Sequence, residues 1–181
     1  MTNKTIIIAA ISGSLKSSSS NTNILRTITK LAPDNVEVRI VEGLDKLPHF
    51  NPENEERIIS VIHFRKQLKE AEGIIFSTPE YAYGVPGVLK NGLDWLVSSG
   101  ELYKKPVAAI SGSTIFSGGD KALASLVLTL NALGANLNAD STLSIANIKN
   151  KMNESGELTD AETILALGIV LNGLINQIIY H

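Results

Sequence analysis

The segment GSLKSSSSN, residues 13–21, carries the first side chains whose types and spacing could do chemistry. Its serine hydroxyls can donate hydrogen bonds to an anion, and Lys16 adds one positive charge. A helix predicted directly after it would offer free backbone N–H groups and the positive end of its dipole. The segment therefore predicts a site for a terminal phosphate. The alternative interpretation is a polar turn that binds no ligand.

Two common phosphate-loop motifs are excluded by the residues themselves. A Walker A motif that starts at Gly13 would need glycine and lysine at positions 18 and 19, where this chain has Ser18 and Ser19. A G-x-G-x-x-G motif is also absent, because Gly13 has no partner glycines in the segment.

A second segment, PEYAYGVPGVLKNGLDWL at residues 79–96, is rich in proline, glycine and aromatic residues. Proline and glycine stiffen a backbone and let it approach a ligand closely. Tyr81 and Tyr83 offer aromatic surface that could flank a flat ring. Trp95 lies on the helix that follows, where a tryptophan is typical of a core or an interface.

No metal site or side-chain nucleophile is predicted. Cysteine is absent, and His49, His63 and His181 are scattered along the chain, which is typical of surface or terminal residues.

These segments must be positioned by an alternation of five strands and five helices. Continuous apolar runs predict strands covered on both faces, and the alternating run at 36–41 predicts an edge strand. Asn21 or Ser20 is expected to cap the first helix, and Thr159-Asp160-Ala161-Glu162 to form a capping box for the last. The predicted strands are 5–11, 36–41, 73–78, 106–111 and 137–145, and the predicted helices are 22–32, 54–72, 87–98, 120–133 and a long one after residue 160.

This alternation predicts a three-layer α/β fold, flavodoxin-like, with a five-stranded parallel sheet in the order 2-1-3-4-5. We expect one domain over residues 1–181. Ligands of such sheets bind at the carboxyl ends of the strands where the order reverses, between strands 1 and 3. The loops 12–21, 79–88 and 112–119 are expected to meet there.

Bulk composition limits the partners. The 181 residues are 44% hydrophobic and 19% charged with a net charge of −2, so nothing suggests a basic nucleic-acid surface. The apolar run after residue 4 is too short for a signal peptide or a membrane span. The cytoplasm is the expected location.

The two segments also resemble a known family. GSLKSSSSN resembles the G-S-L-R-x-x-S-x-N phosphate loop of NAD(P)H-dependent FMN reductases, and PEYAYGVPGVLKNGLDWL resembles their P-E-Y-N-x-S-x-P-G-x-L-K-N-A-I-D-W-L segment. SGSTIFSGG, residues 111–119, falls where the family has a third flavin loop that ends in Gly-Gly. The family contains FMN, quinone, azo-dye and chromate reductases.

The resemblance implies an FMN site built from these loops. The side chains of Ser14, Lys16, Ser19 and Asn21, with the backbone of Ser20, would hold the phosphate. Pro79, Glu80, Tyr81 and Ala82 would line the isoalloxazine, largely through main-chain groups, beside Tyr83, and Ser113 would approach the other side of the ring.

Three positions depart from the family pattern. Lys16 replaces arginine and cannot make a bidentate contact to phosphate. Ala82 replaces asparagine and removes a polar side chain beside the flavin. Thr114-Ile115-Phe116 replaces Pro-Gly-Arg, so the family's nicotinamide-side contacts of this loop do not carry over.

The resemblance implies hydride transfer from NADPH or NADH to FMN, and from there to a quinone, free flavin, azo compound or metal oxyanion, with ping-pong kinetics. Two alternatives remain, a flavodoxin-type electron carrier and an FMN-binding redox sensor. The charge of −2 disfavours the carrier, which is usually strongly acidic.

The sequence finally predicts a homodimer or homotetramer. Leu89, Leu93 and Leu96 form the helix stripe that faces the sheet, whereas Trp95 and Val97 are expected partly outside it. An apolar patch of this kind needs a partner, and the resembled family pairs subunits in this region.

Overall fold

In a computed structural model, residues 5–138 and 140–180 are described. The strands are β1 (Ile6–Ser12), β2 (Val36–Ile40), β3 (Gly73–Thr78), β4 (Val107–Gly112) and β5 (Thr142–Ile145). The helices are α1 (Ser20–Leu31), α2 (Ile59–Glu70), α3 (Gly87–Asp94), α4 (Asp120–Ala132) and α5 (Ala161–Tyr180). All strand pairs are parallel and the order is β2-β1-β3-β4-β5, which confirms the predicted topology.

Two hydrophobic cores cover the two faces of the sheet. α2, α3 and α4 pack on one face through residues such as Phe64, Leu89 and Leu126. α1 and α5 pack on the other through residues such as Ile24 and Leu171. The mostly apolar strands β3 and β4 are buried along their whole length, as a strand covered on both sides must be.

β2 is an edge strand, as its alternation predicts. Val36 and Val38 are buried, whereas Glu37 and Arg39 point to solvent and pair with each other at 2.7 Å. The pairs β1–β2 and β1–β3 lie on opposite sides of β1, so the strand order reverses there.

The predicted helix caps are wrong by one or two residues. Ser19, rather than Asn21 or Ser20, caps α1, because its Oγ accepts from the Thr22 N–H at 3.5 Å. Asp160, rather than a box from Thr159, caps α5, since its Oδ2 accepts from the Thr163 N–H at 3.0 Å.

Three element ends also differ from the prediction. α2 starts at Ile59 because Pro52–Arg57 forms a separate 3₁₀ turn. α3 stops at Asp94, four residues early, and β5 starts at Thr142, five residues late.

Trp95 is not available to a partner subunit, which corrects the expectation that it lies partly outside the core. It is 0% exposed, its Nε1 donates to the Pro48 carbonyl at 3.0 Å, and its ring packs edge-on against Phe50 with centroids 5.0 Å apart. The loop at residues 48–50 therefore covers it within the chain.

In the described part of the chain, α5 is long and apolar enough to cross a membrane by length and composition. Its apolarity has a local explanation, because Leu167, Leu171 and Leu174 are buried against the sheet. His49 and His63 are exposed as predicted, and His181 lies outside the described residues.

Candidate functional site

The three predicted loops meet around one cavity of about 170 Å3 at the carboxyl ends of β1, β3 and β4. Nine of the residues predicted for the site line it: Ser14, Lys16, Ser19, Ser20, Asn21, Pro79, Glu80, Tyr81 and Ser113. Ala82 and Tyr83 do not line it. The cavity is smaller than the roughly 300–1,000 Å3 of sites that enclose a small ligand. It can therefore hold only part of a ligand of that size.

The serine loop is held in shape by its own hydroxyls. Ser12 Oγ and Thr22 Oγ1 lie 2.8 Å apart, and the N–H of Ser14 donates to Ser12 Oγ at 3.3 Å. The N–H groups of Ser20 and Asn21, in the first turn of α1, have no acceptor within the described residues. First-turn N–H groups have no partner inside a helix, so these two donors are free for an anion.

The side chain of Asn21 is hydrogen-bonded within the chain and is not free to bind a phosphate. Its side chain is 2% exposed and fully engaged with the chain. Nδ2 donates to the Gly112 carbonyl at 2.9 Å, and Oδ1 accepts from the Gly112 N–H at 3.0 Å and the Ser77 hydroxyl at 2.9 Å. The side chain thus ties the serine loop to the ends of β3 and β4, and only its backbone N–H faces the ligand.

The backbone at residue 13 approaches the end of β3 closely, which explains why this residue is glycine. Its N–H donates to the Ser77 carbonyl at 2.8 Å, and a Cβ there would lie 2.8 Å from Thr78 Oγ1. A side chain at this position would push the first two loops apart.

Glu80 links the second loop to the third. Its Oε2 accepts from the Ala122 N–H at 3.0 Å, in the first turn of α4, where Gly119 offers no side-chain cap. A Cβ on Gly119 would lie 3.4 Å from the Cβ of Ser113 and 3.5 Å from that of Glu80. The carboxylate therefore holds loops together, and the main chain of Glu80 is the part left for a ligand.

Residues 81–84 form a tight hairpin. Tyr81 and Gly84 exchange both backbone hydrogen bonds at 3.0 Å, and the two central residues have positive φ, 49° for Ala82 and 62° for Tyr83. Such a turn prefers Asn-Gly, because other residues are strained in the left-handed region. Alanine in place of the family's asparagine at position 82 therefore changes the backbone strain of the turn as well as its polarity.

Sequence reasoning missed one charged residue of the cavity. Lys149 and Ile148, in a 3₁₀ turn (Ile148–Lys151) after β5, line it together with the three loops. Lys16 and Lys149 are its two cations among the described residues, and they lie 133 residues apart by number. No local motif signals Lys149.

The cavity's chemistry suits a phosphate and a flat ring more than a metal. Its lining combines hydroxyls, free N–H groups and two lysines with tyrosine surface at the rim. Within residues 5–138 and 140–180, no group of three or more His, Asp or Glu side chains could hold a metal ion.

The fold and this site define a flavodoxin-like protein with a serine-rich loop and a cavity at the switch point of its sheet. The chain belongs to the family of NADPH-dependent FMN reductases, whose model matches residues 6–150. It is an FMN-dependent NAD(P)H oxidoreductase.

Individual relatives agree with this family. A quinone reductase of Escherichia coli K12 is 31% identical over 163 residues, covering 87% of each chain. An NADH-dependent flavin reductase subunit of Lactobacillus johnsonii is 28% identical over 176 residues, covering 93% of this chain and 95% of the relative. Among solved structures, the flavoenzyme NAD(P)H:(acceptor) oxidoreductase FerB of Paracoccus denitrificans has a TM-score of 0.86 at 26% identity, covering 97% and 98%.

Proposed function

We propose that residues 1–181 form a single domain that holds FMN in this cavity, with the phosphate on the serine loop and the isoalloxazine against residues 79–81. One observation carries the proposal: three loops that are far apart in sequence bring nine predicted residues to one cavity. Lys16, the hydroxyl of Ser14 and the N–H groups of Ser20 and Asn21 would bind the phosphate.

FMN, when bound, supplies the hydride and electron chemistry. The chain supplies position and access. The main chain of Pro79, Glu80 and Tyr81 would flank the ring, with Ser113 on its other side. Tyr81 and Tyr83 are 57% and 79% exposed, so their rings are available to a substrate that arrives from solvent.

We propose a small-molecule electron acceptor, with a quinone as the first candidate, because the relatives named above include a quinone reductase. An azo compound is a second candidate, since an NADPH azoreductase of Bacillus is 35% identical over 113 residues. NAD(P)H supply fits the cytoplasm, which we propose as the location.

The test begins with the flavin. Heat-released cofactor should be FMN by chromatography, and NADPH or NADH should bleach the visible spectrum of the purified protein. FAD in its place, or no affinity for added FMN, would contradict the proposal.

Turnover then separates the enzyme from its alternatives. Steady-state NAD(P)H oxidation with a quinone should show ping-pong kinetics. An electron carrier or a redox sensor would bind FMN without sustained turnover of NAD(P)H and quinone.

We also propose a homodimer, or a tetramer made of two such dimers, on different grounds from Trp95. Leu128 on α4 is 72% exposed, and Val97 and Phe116, in segments that follow α3 and β4, are 64% and 88% exposed. We propose that these side chains together form one apolar patch, since a contiguous exposed patch is typical of an interface, and a two-fold pair is the commonest symmetry.

Light scattering tests the assembly. The native mass should be two or four times that of the 19.4 kDa chain, and Leu128→Glu should reduce this mass. The matched control is Ile169→Glu. Ile169 is 56% exposed and lies on α5, which packs on the opposite face of the sheet from α4. A native mass near 19.4 kDa would refute the proposal.

A further inference from the structure

We infer that Lys149 supplies a second positive charge to the phosphate of FMN, from a segment outside the three flavin loops. The inference rests on the proposed FMN site and assigns it a specificity residue. It predicts that the protein distinguishes FMN from riboflavin through two lysines that approach from different elements.

The turn that carries Lys149 is anchored at both ends. The Ile148 N–H donates to the Ser113 carbonyl at 2.9 Å, and the Asn147 N–H donates to the Ile115 carbonyl at 3.3 Å. At the other end, Lys151 Nζ lies 2.8 Å from Asp160 Oδ2. The backbone of Lys149 is therefore fixed to the third loop and to the start of α5.

The ammonium group of Lys149 is not used by the chain. It makes no ion pair or hydrogen bond within the described residues, whereas nearby Lys151 pairs with Asp160 and Lys30 with Glu157 at 3.0 Å. The carboxylate that lines the same cavity, Glu80, is engaged by the Ala122 N–H. A positive charge at the wall of a cavity without its own counter-ion favours an anionic ligand.

Lys149 lies at the phosphate end rather than the ring end. Together with Ser18 and Ser20 it lines both the flavin cavity and a neighbouring cavity of about 490 Å3 on the outer side of the serine loop. Pro79 and Tyr81, which belong to the ring end, line only the first of these two. Lys149 thus borders Ser20, whose N–H would bind the phosphate.

The charge of a phosphate group explains why a second lysine would strengthen binding. A phosphate monoester carries a charge of about −1.5 to −2 near pH 7. Lys16 alone is a point charge and makes no fork to two phosphate oxygens as an arginine would. A second ammonium on another side of the phosphate balances more of the charge than either lysine could alone.

The experiment uses protein from which the flavin has been removed. This apoprotein is titrated separately with FMN and with riboflavin, and the dissociation constant of each is measured by the quenching of flavin fluorescence. Lys149→Ala should weaken FMN binding by about 1.5- to 5-fold, the range of an exposed charge contact, and leave riboflavin binding unchanged. Lys149→Arg should restore FMN affinity. The FMN effect should shrink as salt rises, since exposed charges are screened.

The matched control is Lys69→Ala. Lys69 is an exposed lysine in the last turn of α2, which precedes the amino end of β3, so it lies at the opposite edge of the sheet from the site. This variant removes the same charge and should leave both dissociation constants unchanged.

Three outcomes would overturn the inference. Equal losses for FMN and riboflavin would mean that Lys149 shapes the turn rather than binding phosphate. Unchanged FMN affinity in Lys149→Ala would mean that the lysine serves only the outer cavity. If the wild-type protein binds no FMN at all, the proposed function fails with it.

Discussion

At the phosphate end of the site, Ser19 and Asn21 are 5% and 2% exposed and hydrogen-bonded within the chain, whereas at the ring end Tyr81 and Tyr83 are more than half exposed. The phosphate end gains its shape from polar side chains that satisfy one another. The ring end gains its shape from a hairpin with two residues at positive φ. The site thus combines a relaxed, interlocked half that lines the cavity with a strained, open hairpin, of which only Tyr81 lines it.

The difference matches what each half has to do. A cofactor phosphate stays in place through every turnover, so donors that are fixed before binding lose little freedom when it binds. The ring must be reached by a reductant and then by an acceptor, so its surroundings must stay accessible. Strain in a backbone persists where surrounding structure enforces it, and it is often found beside active sites.

The largest expected effect comes from breaking the interlocked half at Asn21. Asn21→Ala leaves the Gly112 carbonyl, the Gly112 N–H and the Ser77 hydroxyl without their partner. Buried polar groups without partners cost roughly 1–3 kcal/mol each, and partial relaxation lowers the sum. We expect a loss of about 2–4 kcal/mol in the free energy of unfolding, measured with urea.

The same variant should weaken FMN and riboflavin together, because it displaces loops rather than a phosphate contact. Asn23→Ala is the control: Asn23 lies two residues further along α1, and its Oδ1 accepts from Arg26 at an exposed site. A fully stable Asn21→Ala protein with normal flavin affinity would show that the three loops hold their places without this side chain.

The next effect tests charge at the phosphate end without disturbing its frame. Lys16 is exposed and lines the cavity. Lys16→Ala should weaken FMN binding by about 1–3 kcal/mol, the usual cost of a lost charged hydrogen bond. Lys16→Arg should hold or improve the affinity.

Riboflavin is the control ligand for Lys16, because it lacks the phosphate. Its dissociation constant should not respond to either substitution. An equal loss of riboflavin affinity would mean that Lys16 acts on the shape of the loop.

A smaller effect of opposite sign is expected at the strained half. Ala82 has φ 49°, a region that asparagine tolerates better than alanine. Ala82→Asn should raise the free energy of unfolding by about 0.5–1 kcal/mol, as part of the left-handed strain is relieved. Urea unfolding of the two proteins side by side gives the difference.

Ala124→Asn is the matched control for Ala82, with the same side-chain change at an exposed position inside α4. There asparagine should lower stability by about half a kcal/mol, since it is a poorer helix former than alanine. If Ala82→Asn also destabilises, the hairpin is not strained by its alanine.

Local patterns were enough to predict the strand order and the meeting of three loops. Continuous runs such as GIIFST at 73–78 mark buried strands, and parallel strands bring their following loops to one edge. The serine loop was predicted as an anion site because its hydroxyls, Lys16 and the helix that follows are neighbours in sequence.

The errors arise where partners are distant in sequence. Trp95 is buried because Pro48, 47 residues away, accepts its N–H. Asn21 is committed to Gly112 and Ser77, 91 and 56 residues away, so its residue type alone could not separate a phosphate ligand from a link between loops. Lys149 follows β5, and only the folded sheet brings it beside Lys16.

The smallest expected effect concerns the support of the turn that carries Lys149. Lys151 and Thr163 hydrogen-bond to the Asp160 carboxylate and hold its pKa down to about 2. A carboxyl whose pKa is lower in the folded than in the unfolded chain adds stability above its unfolded pKa, about 3.9. That stability is lost as the pH falls from about 4 through 2.

Asp160→Asn should lower the melting temperature slightly at pH 7, because asparagine can still cap α5 but cannot pair with Lys151. The gap between the two proteins should close across that acid window in thermal melts taken at stepped pH. A gap that stays constant down to pH 2 would mean that Asp160 acts through its hydrogen bonds alone, without its charge.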